Sequence, residues 1–123
     1  MPDYAELHCQ TAFSFLEGAS MPGPLAERAA ALGLRALGVC DRDGVYGMVR
    51  AWKTGREHDL QVLHGALLSV RGPAWRKQPK EVKGVDRVGV RELMIYATNE
   101  QGWGSLCELL SQGREGQPTG SSL

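Results

Sequence analysis

His8 and Gln10, two residues apart in YAELHCQTAFSFLEGAS (Tyr4 to Ser20), are the side chains whose types and spacing bear most directly on chemistry. On a strand, the period of two sends both to the same face. Two histidines so placed would make half a metal site. With Gln10 in the second place only one imidazole remains, and an amide oxygen holds a transition metal far less strongly than an imidazole nitrogen. A lone imidazole is not a site, so His8 by itself reads as a hydrogen-bonded structural histidine. Cys9, between the two, faces the other way. Asp41 and Asp43 sit in the DRDG turn, where carboxylates ordinarily make turn and capping hydrogen bonds. His58 and His64 match no ligand position and read as surface or turn histidines.

The elements that must position these residues are legible from patterning. Ala5 to Cys9 forms a first strand, followed by a helix from Pro22 to Leu32 with Leu25, Ala29 and Leu32 on one side, Pro22 in its first turn and Gly33 at its C-cap. Arg35 to Cys40 reads as a buried strand. Tyr46 to His58 is a second helix, with Met48, Val49 and Trp52 inward and Gly55 weakening its last turn. Gln61 to Leu63 and Leu67 to Val70 make a third strand, broken at Gly65, and Glu92 to Ala97 a fourth. Asn99 caps a last helix carrying Trp103, Leu106, Cys107 and Leu110 on one stripe. Trp52 and Trp103 read as core residues. Strands alternating with helices point to an α/β architecture, a parallel sheet of about four strands with covering helices.

Length and charge bound the rest. The 123 residues suit one compact domain, placed at 1–112, and the Gly-, Ser- and Pro-rich stretch 113–123 reads as a disordered tail. Fourteen basic and fourteen acidic residues balance, so no global field draws the chain to DNA or to an anionic membrane. A nucleic-acid contact must come from a local patch. The insert Arg71 to Arg91 supplies one, with seven basic residues against Glu81 and Asp86 and with Trp75 among them. Arg76, Lys77 and Lys80 would carry weak single-strand binding, and a solvated charged loop is the simpler reading. No apolar run reaches membrane-spanning length and no signal-peptide pattern opens the chain, which reads as cytoplasmic with no membrane partner. Cys9, Cys40 and Cys107 are odd in number and widely spaced, which favours reduced, buried thiols over disulfides or a zinc knuckle.

Four blocks carry a resemblance: YAELHCQTAFSFLEGAS, LAERAAALGLRALGVCDRDGVYGMVRA, VLHGALLSV and LMIYATNEQGWGSLCELLS. In this order and approximate spacing the chain resembles the N-terminal PHP domain (polymerase and histidinol phosphatase) of bacterial C-family DNA polymerase III alpha subunits, in particular the error-prone branch. The resemblance implies a distorted (β/α)7 barrel, of which this length supplies about half, as a truncated polymerase reading frame would. It also implies a cluster of divalent metals (Zn, Mn or Mg) held by histidines and carboxylates at strand ends, where bound water is activated for phosphoester cleavage.

Position by position, the resemblance implies a degenerate metal site. His8, Glu17 and Glu92 keep ligand-type side chains. Gln10 replaces a histidine, Leu67 a glutamate, and Arg42 a histidine. A guanidinium has no lone pair to donate and repels a cation, so Arg42 is the most damaging change. It is expected instead to pair with Glu17 or Glu92 as a structural salt bridge with no bound metal. The leading expectation is an inactive scaffold or interaction module associated with DNA replication and repair. Polymerase components, or self-association through the open first and fourth strand edges, would be its partners. The alternatives are a metal-dependent phosphoesterase or 3′–5′ exonuclease using His8, Glu17, Glu92 and Asp41, and a weak single-stranded nucleic-acid-binding fragment. Polymerase activity cannot reside in 123 residues that lack a palm.

Overall fold

The computed structural model describes residues 3–70 and 91–115. Its elements are β1 (Ala5–Cys9), α1 (Pro22–Ala31), β2 (Ala36–Arg42), α2 (Met48–Glu57), β3 (Gln61–Val70), β4 (Arg91–Tyr96) and α3 (Glu100–Arg114). They form one sheet in the order β1-β2-β3-β4. The strands β1, β2 and β3 run parallel, each joined to the next through a helix. This is the partial α/β barrel expected, with β1 and β4 as its edges.

The fourth strand departs from the expected parallel sheet: β4 is antiparallel to β3, with Val70 opposite Arg91 and Gly65 opposite Tyr96. No helix intervenes between β3 and β4 among the described residues, and an antiparallel neighbour needs no crossover helix. The third strand is also continuous through Gly65 rather than broken there. A Cβ at Gly65 would lie 2.8 Å from the Ile95 carbonyl oxygen and 2.9 Å from the Tyr96 ring, so glycine here admits β4 rather than interrupting β3.

All three helices pack on one face. Ala26 and Ala29 of α1, Met48 and Ala51 of α2, and Leu37, Val39 and Val62 of the sheet form one buried cluster. Ala66 and Leu68 meet Leu106 and Leu110 of α3 in a second. Burying a leucine or methionine of this kind stabilises the fold by roughly 1.5–3 kcal/mol. Cys9 packs against the first cluster, Cys40 is buried, and Cys9 and Cys107 are half-buried free thiols.

Two helix faces differ from expectation. In α2, Val49 is 69% and Trp52 41% exposed, and the inner stripe is Met48, Ala51 and Gly55. A Cβ on Gly55 would lie 2.5 Å from Val62 Cγ2, so this glycine permits the close approach of α2 to β3. At about 100° per residue, Val49 and Trp52 then rotate away from the sheet. In α1 the inner residues are Pro22, Ala26 and Ala29, while Leu32 is exposed. Gly33 follows the helix with φ of 73°, and Asn99 Oδ1 accepts from the Gly102 N–H as the cap of α3. That helix runs to Arg114, past the boundary set at 112, because Arg114 Nη2 donates to the Asp43 carbonyl (2.8 Å). The remaining tail residues, 116–123, lie outside the described residues.

Candidate functional site

The helix-free face of the sheet gathers the polar residues. Arg42, the last residue of β2, lies opposite Leu67 of β3, and Ser69 of β3 lies opposite Glu92 of β4. Glu17 comes from the loop 10–21 between β1 and α1. That loop is held by Asp41, which is 1% exposed and accepts from the Thr11 N–H (2.7 Å), Thr11 Oγ1 (2.7 Å) and Ser14 Oγ (2.8 Å). Three donors satisfy a buried carboxylate that would otherwise be costly. Asp43, in the left-handed region with φ of 51°, accepts from the Ser69 N–H through Oδ1 (2.7 Å). Its own N–H donates to the Leu67 carbonyl (2.8 Å), tying the end of β2 to β3. Both aspartates accept from segments far along the chain instead of making the local turn and capping bonds expected of them, because Asp41 lies on β2 and both side chains bridge separate elements.

Arg42 is the centre of the arrangement. Its Nε donates to Glu17 Oε2 (2.7 Å), its Nη2 to Glu92 Oε1 (2.6 Å) and its Nη1 to Ser69 Oγ (3.0 Å). Its backbone N–H donates to Ser14 Oγ (3.0 Å), and Gln10 Nε2 also reaches Glu17 Oε2 (3.3 Å). The Arg42 and Glu17 side chains are 16% and 17% exposed and Glu92 is 49% exposed, so the Glu17 pair is the less screened. The hydrogen bond to Glu17, ahead of that to Glu92, pushes the guanidinium pKa above its ordinary value. The pairing expected of Arg42 is present with both carboxylates.

Of the other expected site residues, Gln10 and Leu67 lie at this cluster. His8 is exposed, and its backbone N–H donates to Glu6 Oε1 (3.0 Å). The strand β1 ends at Cys9, before Gln10, and its pairing with β2 shifts register between Glu6 and Cys9. Leu67 is buried beside Arg42. His64 is not a surface histidine: it is half-buried on β3, edge-on to Trp103 with ring centroids 5.3 Å apart, and burial lowers its pKa. His58 is exposed, with Nδ1 3.0 Å from the Thr54 carbonyl oxygen. Arg76, Lys77 and Lys80 lie outside the described residues. Among the described residues, no group of three or more His, Cys, Asp or Glu side chains is placed to hold a metal ion.

Sequence reasoning missed Ser14, Ser69 and Tyr96. Two serines supply hydroxyls to Arg42, and nothing in their spacing marks them. The Tyr96 hydroxyl, on β4, donates to the Leu7 carbonyl of β1, linking the two sheet edges. Burial is the first cause pushing its phenol above the ordinary range.

A sheet carrying helices on one face and a charged cluster at strand ends on the other is the arrangement of a PHP domain. The PHP-domain family pattern matches residues 6–121, and the chain belongs to that family. Its relatives include the error-prone DNA polymerase of Alkalilimnicola ehrlichii, 41% identical over 91% of this chain and 9% of that protein. Those of Ralstonia pickettii (37% identical, 98% of this chain and 10% of that protein) and Pseudomonas aeruginosa (37%, 93% and 9%) are similar. The chain thus spans about a tenth of the length of these relatives. Among solved structures it shares its fold with a protein of Bifidobacterium adolescentis assigned as a metal-dependent phosphoesterase (TM-score 0.62, 22% identity, 93% of this chain and 34% of that one). An amidohydrolase from Chromobacterium violaceum is equally similar in fold (TM-score 0.63, 20% identity, 91% and 34%). No helix among the described residues is long and apolar enough to cross a membrane.

Proposed function

We propose that this PHP domain is a non-catalytic structural and interaction module of an error-prone type DNA polymerase, in which the Arg42 guanidinium takes the place of divalent metal. The observation that carries this reading is the position of Arg42 between Glu17 and Glu92, bonded to each at 2.7 and 2.6 Å. A divalent ion bound at such a site would lower the pKa of water for phosphoester cleavage. The donors present do not fit one. The two carboxylates are already engaged by a permanent cation, Gln10 is a neutral amide and Leu67 offers no donor.

As a module, the domain would act through its sheet edges. Leu7 on β1 and Leu93 and Met94 on β4 are exposed, and such edges are normally covered or paired. Other segments of a polymerase chain working in DNA replication or repair are the partner that the length of the relatives favours, with a second copy as the alternative.

The test is metal retention measured by elemental mass spectrometry after loading with manganese or zinc and removal of excess. The wild type should retain none, and Q10H/R42H, which restores two imidazoles and removes the cation, should gain affinity. Near-stoichiometric metal in the wild type, lost in His8→Ala, would overturn the reading in favour of a metal-dependent phosphoesterase using His8, Glu17 and Glu92.

A further inference from the structure

The outer face of α2 carries a pattern that the Arg42 cluster does not use. Arg50, Lys53 and Arg56 recur every three residues, so they form one slanting stripe about 9 Å long at 1.5 Å per residue. All three are exposed. Among the described residues none of them is in an ion pair, unlike Arg35 and Arg42. Two of the three lie over aromatic rings at cation–π distance: the Arg50 guanidinium carbon is 5.8 Å from the centroid of Phe13, and that of Arg56 is 5.0 Å from the centroid of Trp52. Within α2 the only opposing charge is Glu57.

We infer that this face of α2, with Phe13, is a binding platform for single-stranded nucleic acid. Unpaired cations spaced along a helix meet successive phosphates, while bases stack on the exposed Trp52 ring and on the half-buried Phe13 beside them. An acidic peptide would use the cations and leave the rings without a role, and an anionic membrane would want a wider apolar face than Trp52 and Val49 provide. At about 3.4 Å per nucleotide the stripe covers roughly three nucleotides. The site is distinct from the insert residues Arg76, Lys77 and Lys80, and it does not depend on whether metal is bound.

Fluorescence anisotropy with a labelled oligothymidylate over a range of salt concentrations tests this. Neutralising about three phosphates predicts a slope of log K against log salt near −2 for a single strand. R50A/K53A/R56A should weaken binding at least about tenfold at low salt and flatten the slope, with circular dichroism confirming the fold. Trp52→Ala should weaken it at least about fivefold with the slope unchanged, because stacking carries no counterion release. Glu57→Gln should tighten binding, a gain that misfolding cannot imitate. Salt-independent binding, loss in R76A/K77A/K80A but not in the α2 variant, or equal displacement by polyglutamate or anionic vesicles would each overturn the proposal.

Discussion

Replacing Arg42 with methionine removes the cation and keeps most of the apolar stem. Breaking a buried ion pair by deleting one partner costs about 3–5 kcal/mol, because the remaining charge is stranded. The Glu17 pair is mostly but not fully covered, at 16% and 17% exposure, which reduces that figure to about 2 kcal/mol. The Glu92 carboxylate is half exposed and behaves as a surface partner, adding about 0.5 kcal/mol. Gln10 Nε2 still reaches Glu17 and softens the loss slightly. The expected total is about 2–3 kcal/mol at pH 7, or a fall of about 1–2 M in the urea midpoint. The penalty is electrostatic, so it should shrink in acid, where a protonated carboxyl no longer needs a counter-charge. E17Q/R42M should recover part of it at neutral pH. Urea titrations of the wild type, R42M and E17Q/R42M at pH 7 and in acid check each point. A loss below about 0.5 kcal/mol, or one equally large at both pH values, would refute the account of Arg42 as the counter-charge that holds the site together.

Asp41→Asn should cost about 2–4 kcal/mol, because the amide replaces a charged acceptor of three hydrogen bonds and turns donors toward the Thr11 N–H. Thermal melts measure the loss, and faster amide exchange should be confined first to the loop 10–21. Burial lowers the folded pKa of His64, so its contribution to stability is full above about 6.5, the unfolded value, and is lost as pH falls through the folded one. NMR titration of the ring should give a midpoint below that of His64 in the urea-unfolded chain. The Cys9 thiol is pushed up to about 11, first by burial, so it should react with a disulfide reagent at pH 8 far more slowly than free cysteine. Because that pKa is raised, its contribution to stability is present below about 8.5 and fades as pH rises toward 11.

Most of the fold was legible because its signals are local. Pro22 and Gly33 bracket α1, Asn99 caps α3, and β1 spans Ala5–Cys9 as expected. The direction of β4 was not legible, because strand length and composition look the same in parallel and antiparallel pairs. The phase of α2 was misjudged because Val49 and Trp52 are large and apolar, whereas the sheet selects the small Ala51 and Gly55. At the site, the pairing of Arg42 with Glu17 or Glu92 was foreseen from the family resemblance, which placed all three at one set of ligand positions. The serines that complete it come from distant segments and could not be read from spacing. The register shift in β1 between Glu6 and Cys9 is likewise something a period-two rule cannot anticipate.

Because β4 turns back beside β3, the chain leaves the sheet at Val70 and re-enters it directly opposite, at Arg91. The two ends of segment 71–90 are therefore held side by side by the pairing of β3 with β4, and the sheet register is set by that pairing. Closure cost varies only with the logarithm of length, so exchanging twenty residues for four would change it by about 1.4 kcal/mol. Evolution can lengthen, shorten or recharge that segment at the strand end nearest Arg42 while the strand register around Arg42, Ser69 and Glu92 stays where it is.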